Sequence, residues 1–412
     1  MSRLLIEHIG LLATPQGRGA AGGAAQGQVL FLKDAYILCE NGRIAAIGQG
    51  AAPACDAKRL DAQGKLVTPG LIDAHTHLIF GGWRQHELAD KLRGKSYLDI
   101  LREGGGIHET VRATRQAAQQ ALTEKAEKAL RQMLRGGVTT CEAKSGYGLD
   151  RETELRQLRV IRALDARQPV ELAATFLGAH AVPKEYAEHR EDYVRLLCEQ
   201  LIPQVAREGL AEFCDVFCEE GVFTAEESRR ILQAGRECGL KPKIHADEIA
   251  PIGGSQLAGA LRAVSAEHLI VCPPEGIAAL RDGGVVACLL PATSFYLGAS
   301  YAPAQQMLRA GVPIAVASDF NPGSCPGNDL HFCMNLACLR YRMTPEQVLT
   351  AVTRNAAAAL CRDDRLGTLE AGKQADLVLW DAPDLDYLCY RLGGQLAQAA
   401  IKRGEVAYTA EF

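Results

Sequence analysis

The chain has 412 residues, with 45 Lys and Arg against 49 Asp and Glu for a formal net charge of −4, and 48% apolar and 23% charged side chains. These are the proportions of a folded globular chain, which exclude a disordered polymer, a collagen-like repeat and a coiled coil; the length suits two or three domains, or a barrel of about 250 residues with a smaller unit. The mild negative balance and the lack of any Lys/Arg block exclude an electrostatic footprint for nucleic acid, and Glu7 interrupts the opening MSRLLIEHIG too early for a secretory segment.

In chain order, AYILCE and RIAAIG flank Asn41-Gly42, a strong two-residue hairpin signal because both turn residues need positive φ. Before them, Gln16 to Gln28 is rich in Gly and Ala without hydrophobic periodicity, which predicts a flexible loop. From about Val67 to Cys361, eight apolar runs alternate with amphipathic helical patterns such as TEKAEKALRQML and TELRQLRVIRAL. The runs are LIDAHTHLIF, VTTCEAKSGYG, LAATFLGAH, FCDVFCEEG, PKIHADE, AVSAEHLI, VVACLLPAT and PIAVASDFNPG.

The longest uncharged stretch, Gly283 to Leu308, contains Pro291, Thr293, Ser294, Pro303, Gln305 and Gln306. A lipid-facing helix tolerates these poorly, so a buried strand plus a loop is predicted, and with it a chain without a membrane partner. KQADLVLWD and AAIKRGEVAYT near the end again read as strands. The predicted class is therefore α/β: a (β/α)8 TIM-type barrel over residues 67–362, with a small β-sandwich-like domain built from residues 1–66 and 363–412. A doubly wound open sheet would want a GxGxxG turn after its first strand, and the chain has none. Fourteen scattered cysteines without a CxxC pair read as free thiols of a reducing, cytoplasmic setting.

Function in such a barrel collects where strands end. His75 and His77, Lys144 and Tyr147, His180, Glu219 and Glu220, His245 and Glu248, His268, and Asp319 and Asn321 all fall at or just beyond predicted strand ends. One such residue alone is more often a satisfied polar group; six or more converging on one rim are hard to explain as packing. His75 and His77, two apart on a strand, face the same side about 6.6 Å apart along the backbone. With His245 and Asp319 they make three imidazoles and one carboxylate, a set that suits Zn²⁺ or iron with an open position for water.

Hydrolysis at such a site needs a group to move protons, and Glu248, His268 and Asp319 are all candidates. Glu248 is favoured for the leaving-group proton, and His268 for orienting or activating water, with a supporting hydrogen bond to a ligand as its alternative. Arg84, in FGGWRQHE, suits a carboxylate gripped in a fork. In SGYG, Gly146 and Gly148 let the backbone bring the Tyr147 hydroxyl close to a ligand. Asn321-Pro322-Gly323-Ser324 is a turn whose amides and side chains suit an amide or carboxylate. Lys144 reads as a structural or supporting lysine rather than a bridge between two metals.

VTPGLIDAHTHL followed by KIHADE and ASDFNPGS resembles the metal-dependent amidohydrolase superfamily. Within it, HTHLIFGGWRQHEL, GKSYLDILREGGGI, EAKSGYGLD, TFLGAHAVP, FCDVFCEEGVF and SDFNPGSCPG are similar to the imidazolonepropionase family, across almost the whole chain. The resemblance implies a cytoplasmic hydrolase of histidine catabolism that opens 4-imidazolone-5-propanoate to N-formimidoyl-L-glutamate. It implies one metal ion per subunit, Zn²⁺ or Fe³⁺, and a homodimer. By position it assigns His75, His77, His245 and Asp319 to the metal. Arg84, Tyr147, His180, Glu248, Asn321, Gly323 and Ser324 go to substrate, and His268 to catalysis. Gly327-Asn328-Asp329 departs from the family pattern. Cys325, beside Ser324, reads as a passive loop cysteine, with an oxidant-sensitive thiol as the alternative. Two rivals have distinct consequences: a sister deaminase of an aromatic ring would release ammonia, and a non-catalytic scaffold would have lost a ligand or an acid/base residue.

Overall fold

The computed structural model describes residues 3–95 and 105–410. Five strands open the chain: β1 (Arg3–Pro15), β2 (Val29–Glu40), β3 (Arg43–Gln49), β4 (Lys58–Asp61) and β5 (Leu66–Pro69). The barrel strands follow: β6 (Leu71–Asp73), β7 (Val138–Lys144), β8 (Glu171–Ala179), β9 (Phe213–Cys218), β10 (Lys241–Ala246), β11 (Ser265–His268), β12 (Val286–Leu289) and β13 (Ile314–Val316). Three more, β14 (Leu377–Trp380), β15 (Ala397–Lys402) and β16 (Glu405–Thr409), return to the first group.

Each of the eight predicted runs carries one barrel strand, and β6 to β13 pair in chain order, all parallel. The ring closes just beyond the ends of β6 and β13, where Asp319 N–H donates to the His75 carbonyl at 3.0 Å and His77 N–H to the Phe320 carbonyl at 2.9 Å. Asp73 braces the same seam by accepting from Ser318 N–H at 3.0 Å. Closure therefore sets the two histidines of HTH beside Asp319, although some 240 residues separate them in sequence.

The terminal strands form one eight-stranded sheet, in the order β16-β15-β14-β5-β1-β2-β3 with β4 also on β1. A register shift between Ile6 and Ile9 lets the first half of β1 pair with β4 and the second with β5. The two arms enclose an apolar core that includes Ile6, Leu12, Ile37, Val67, Leu377 and Ile401. The hairpin is where it was predicted, with Asn41 at φ 49° and Gly42 at φ 80°, and β5 carries the N-terminal share of the sheet to Pro69.

Two expectations need correction. Gln16 to Gln28 is not free: Gly23–Gly27 forms a 3₁₀ turn, and the buried Gln26 side chain donates to the Ile314 carbonyl and accepts from Ile314 N–H, both at 3.0 Å. Asn355 also exchanges hydrogen bonds with both backbone groups of Ala21. A segment without periodicity of its own is thus ordered by the base of the barrel. The uncharged stretch after β12 is not a loop, because Pro291 starts a helix over Pro291–Leu297, where its missing N–H costs nothing.

Glu171, at the base of β8 and 7% exposed, ties the barrel to the terminal sheet. Arg362 reaches it at 3.3 Å, Lys402 at 3.4 Å, and Arg365 also pairs with it. Burial pushes its carboxyl up, but Arg365, Lys402 and Arg362 outweigh this and hold it well below the usual carboxylate range. A carboxyl depressed on folding adds stability above its unfolded pKa of about 4.3, and that stability is lost as pH falls. Glu171→Gln should cost about 3 kcal/mol at neutral pH, because Arg365 loses its carboxylate and Arg362 and Lys402 are left with Glu212 and Asp376 alone. It should also flatten the acid limb of stability below about pH 4.3. Urea titrations of both proteins at pH 7 and pH 4 check this; equal midpoints at pH 7 would disprove it.

Candidate active site

His75, His77 and His245 offer ligand atoms that lie within 4.8 Å of one another, all in buried side chains. The Nε2 atoms of His75 and His77 are 3.3 Å apart, and Asp319 Oδ1 lies 3.4 Å from the first and 3.5 Å from the second. The other ring nitrogens set the tautomers. His75 Nδ1 faces Glu267 Oε2 at 3.0 Å and His245 Nδ1 faces Asp215 at 3.1 Å, so each donates there and turns a bare Nε2 inward. Among the described residues, His245 Nε2 and Asp319 Oδ1 have no hydrogen-bond partner. Lone pairs converging in a buried space repel unless a cation sits among them, and three imidazole nitrogens with one carboxylate oxygen fit a single zinc or iron ion. Thr293 holds the second oxygen of Asp319 at 2.6 Å, leaving Oδ1 to face the cluster.

Charged residues fill the barrel interior below. Lys144 Nζ lies 2.8 Å from Asp215 and 2.9 Å from Glu142, and Lys243 Nζ lies 2.8 Å from Glu142 and 3.7 Å from Glu267. This chain links the carboxylate under His75 to the one under His245. Burial works against the charge of Lys144, but Asp215 and Glu142 outweigh it and keep the ammonium protonated. Lys144 is thus committed to two carboxylates. Glu142, Asp215, Lys243 and Glu267 are not among the residues singled out from the sequence; period-two spacing from Lys144 and His245 signals Glu142 and Lys243 on the strands' inward face, whereas Asp215 and Glu267 carry no such signal on their own strands.

Around the cluster, His180 stacks on His77 with ring centroids 4.8 Å apart, and Tyr147 lies 5.2 Å from His180. The SGYG turn is shaped by Glu154, another residue the sequence reading passed over, which accepts from Gly146, Gly148 and Leu149 N–H at 2.8–3.0 Å. Gly146 has φ 110°, and a Cβ there would sit 3.0 Å from His180 Nδ1. Glu248 and His268 come together, with Oε2 and Nε2 3.6 Å apart. Burial, then the Asp319 and Glu219 carboxylates, push the Glu248 carboxyl up to about 8, while burial and the neighbouring His245 hold His268 well below the usual histidine range. The pair is therefore an acid that keeps its proton near neutral pH beside a neutral imidazole.

The Asn321–Ser324 turn follows Asp319 directly. Asn321 Oδ1 accepts from Gly323 and Ser324 N–H, both at 2.8 Å, and its amide donates to the Asp319 carbonyl at 2.7 Å. Its side chain builds the turn, while Ser324 and Gly323 lie on it. The Arg84 guanidinium crosses Gly323 so closely that an added Cβ would meet Nη2 at 1.1 Å. Glu87 sits beside Arg84 at 3.6 Å. Cys325 is 2% exposed and burial pushes its thiol up to about 12, which disfavours the reactive thiolate. Asp329, in the atypical run, caps the helix Leu330–Tyr341. Most of GKSYLDILREGGGI lies outside the described residues.

The model of the Amidohydrolase family matches residues 66–407. A protein of Alkaliphilus metalliredigens named imidazolonepropionase is 47% identical over 413 residues, covering 98% of both chains. The chain belongs to the imidazolonepropionase family. As an amidohydrolase it is a hydrolase of carbon–nitrogen bonds. Solved structures share the fold of this imidazolonepropionase family member at much lower identity. A 5-methylcytosine deaminase from Klebsiella pneumoniae has a TM-score of 0.75 at 18% identity, covering 99% of this chain and 98% of that one. An adenosine deaminase from Xanthomonas campestris with bound zinc has a TM-score of 0.71 at 20% identity, covering 98% and 92%.

Gly323→Ala tests the Arg84 contact. The obstructed atom is the end of a flexible side chain, so the arginine moves and the fold survives. Hydrogen bonds to charged groups contribute about 1.5–3 kcal/mol, so KM should rise about tenfold to a hundredfold with little change in Tm. Steady-state kinetics decide it; an unchanged KM would mean Arg84 has no role in holding substrate.

Proposed function

We propose that this chain hydrolyses the cyclic amide C–N bond of 4-imidazolone-5-propanoate in histidine degradation, giving N-formimidoyl-L-glutamate. The observation that carries the reading is the inward convergence of His75, His77 and His245 Nε2 with Asp319 Oδ1, beside Glu248 and His268, whose Oε2 and Nε2 lie 3.6 Å apart. Those four residues would hold one Zn²⁺ or Fe³⁺ ion. When bound, it supplies Lewis acidity that polarises water or a carbonyl.

The chain's own residues do the rest. Arg84 binds the propanoate carboxylate as a bidentate fork, with Tyr147, His180 and Ser324 around the ring and with Asn321 and Gly323 shaping the pocket beneath the guanidinium. His268 is neutral and orients the attacking water; Asp319 stands ready to take its proton. Glu248 gives its carboxyl proton to the ring nitrogen as the amide bond breaks. Water's hydroxyl ends on the carbonyl carbon, the proton taken by Asp319 passes to the Glu248 carboxylate so that both groups are restored, and the freed nitrogen stays in the product, so no ammonia is released.

In this reading the enzyme is cytoplasmic and a homodimer, acts on a small molecule, and has no nucleic-acid or membrane partner. The net charge of −4 supports the nucleic-acid part, and among the described residues no helix is long and apolar enough to cross a membrane. Mass spectrometry of the product after incubation with 4-imidazolone-5-propanoate tests the reaction. Formimidoylglutamate formed well above spontaneous decay is expected; no conversion by metal-loaded protein would overturn it.

A further inference from the structure

The segment carrying Glu248 has no regular structure: β10 ends at Ala246, Asp247 has φ 52°, and the next helix starts at Gly254. Its free amides converge on one side chain. Glu219, just beyond β9 and 1% exposed, accepts from Glu248 N–H at 3.1 Å, Ile249 N–H at 2.9 Å and Ala250 N–H at 2.9 Å, and also from its neighbour Glu220 N–H at 2.8 Å. The Glu219 backbone is itself fixed, with its N–H donating to the Phe223 carbonyl at 3.1 Å and its carbonyl accepting from Val222 N–H at 3.0 Å.

We infer that Glu219 is a positioning residue for the reaction: by gathering three successive amides of the 248–250 segment, it places the Glu248 carboxyl against His268 and the substrate. The inference rests on the proposed role of Glu248. A carboxylate suits the task because two oxygens accept several N–H donors at once and offer no donor of their own. Four N–H groups satisfy the buried charge, as at the N-terminus of a helix. Its charge also helps to hold the proton on Glu248.

The test is steady-state kinetics on the metal-loaded enzyme for Glu219→Gln, Glu219→Asp, Glu248→Gln and, as a control, Glu220→Gln on the exposed neighbour. The Gln variant turns an amide donor toward backbone donors, and the Asp variant withdraws the carboxylate by one methylene. A displacement of about 1 Å can cost about a hundredfold. Both Glu219 variants should therefore lose about tenfold to a hundredfold in kcat, Gln more than Asp. KM should stay within about threefold and one metal per chain should remain, with Glu220→Gln unchanged. If Glu219→Gln fails to fold, the same kcat-only loss in Glu219→Asp carries the test. Full kcat in either folded variant, or a loss matched by lost metal or by KM alone, overturns the inference. If Glu248→Gln keeps full turnover, the Glu248 reading itself fails and takes the inference with it. If only Glu248→Gln is impaired, the inference alone fails.

Discussion

Replacing His75 by Ala is expected to reduce ring opening of 4-imidazolone-5-propanoate to the rate of spontaneous decay and to remove stoichiometric metal. His75 is fully buried, and Glu267 fixes its tautomer so that Nε2 faces His77, His245 and Asp319. Alanine takes away one of four donors and leaves Glu267 facing a void, so neither solvent nor a neighbour restores the set. Lewis-acid stabilisation is worth several kcal/mol, and about 1.4 kcal/mol is a factor of ten. The loss in kcat should be at least about 10³-fold. Metal analysis by mass spectrometry, with turnover measured on the same sample, decides the matter. A His75→Ala protein that kept its metal and its turnover would remove this cluster from the reaction.

The second large effect is expected from Glu248→Gln, with a loss of about 10²–10⁴-fold in kcat while the metal stays bound. Glutamine keeps the size and puts an amide N–H donor in place of the carboxyl O–H, but it has no acidic proton to give. The wild-type enzyme needs the protonated carboxyl, so its activity should fall as pH rises through the folded pKa, about 8 before a bound cation moves it lower. That alkaline limb should be missing in the variant. Stability gives an independent check. The folded pKa lies above the unfolded value of about 4.3, so in the metal-free protein the folded state holds the extra proton between those values. Its stability therefore declines as pH rises across that window, and Glu248→Gln removes the decline. An unchanged pH profile with full kcat would assign the leaving-group proton to another residue.

Local pattern carried much of this protein. The eight barrel strands, the Asn41-Gly42 hairpin and the helix at Ala304–Ala310 follow from short-range periodicity and turn chemistry. The strand-end histidines, Glu248 and Asp319 were visible because ligating side chains recur at the ends of apolar runs. The barrel interior was harder to read. Lys144 reads from sequence as a supporting lysine, but its partners are not legible there, and only closure of the ring shows Glu142, Lys144, Asp215, Lys243 and Glu267 neutralising one another at full burial.

Asn321 shows the same limit at a single residue. Its place in a turn is local and legible, but the consumption of its side chain by Gly323, Ser324 and the Asp319 carbonyl is a matter of turn geometry. Gln26 and the segment around it have no periodicity because partners some 290–330 residues away supply their order. What the sequence by itself determined was the list of strands and the chemistry at their ends, because both rest on neighbours within a few residues. The tertiary structure alone decided which charges are paired, which loop Glu219 holds and where Arg84 lies on Gly323. Each of those depends on distances in space between residues far apart in the chain, and on the burial that gives such contacts their strength.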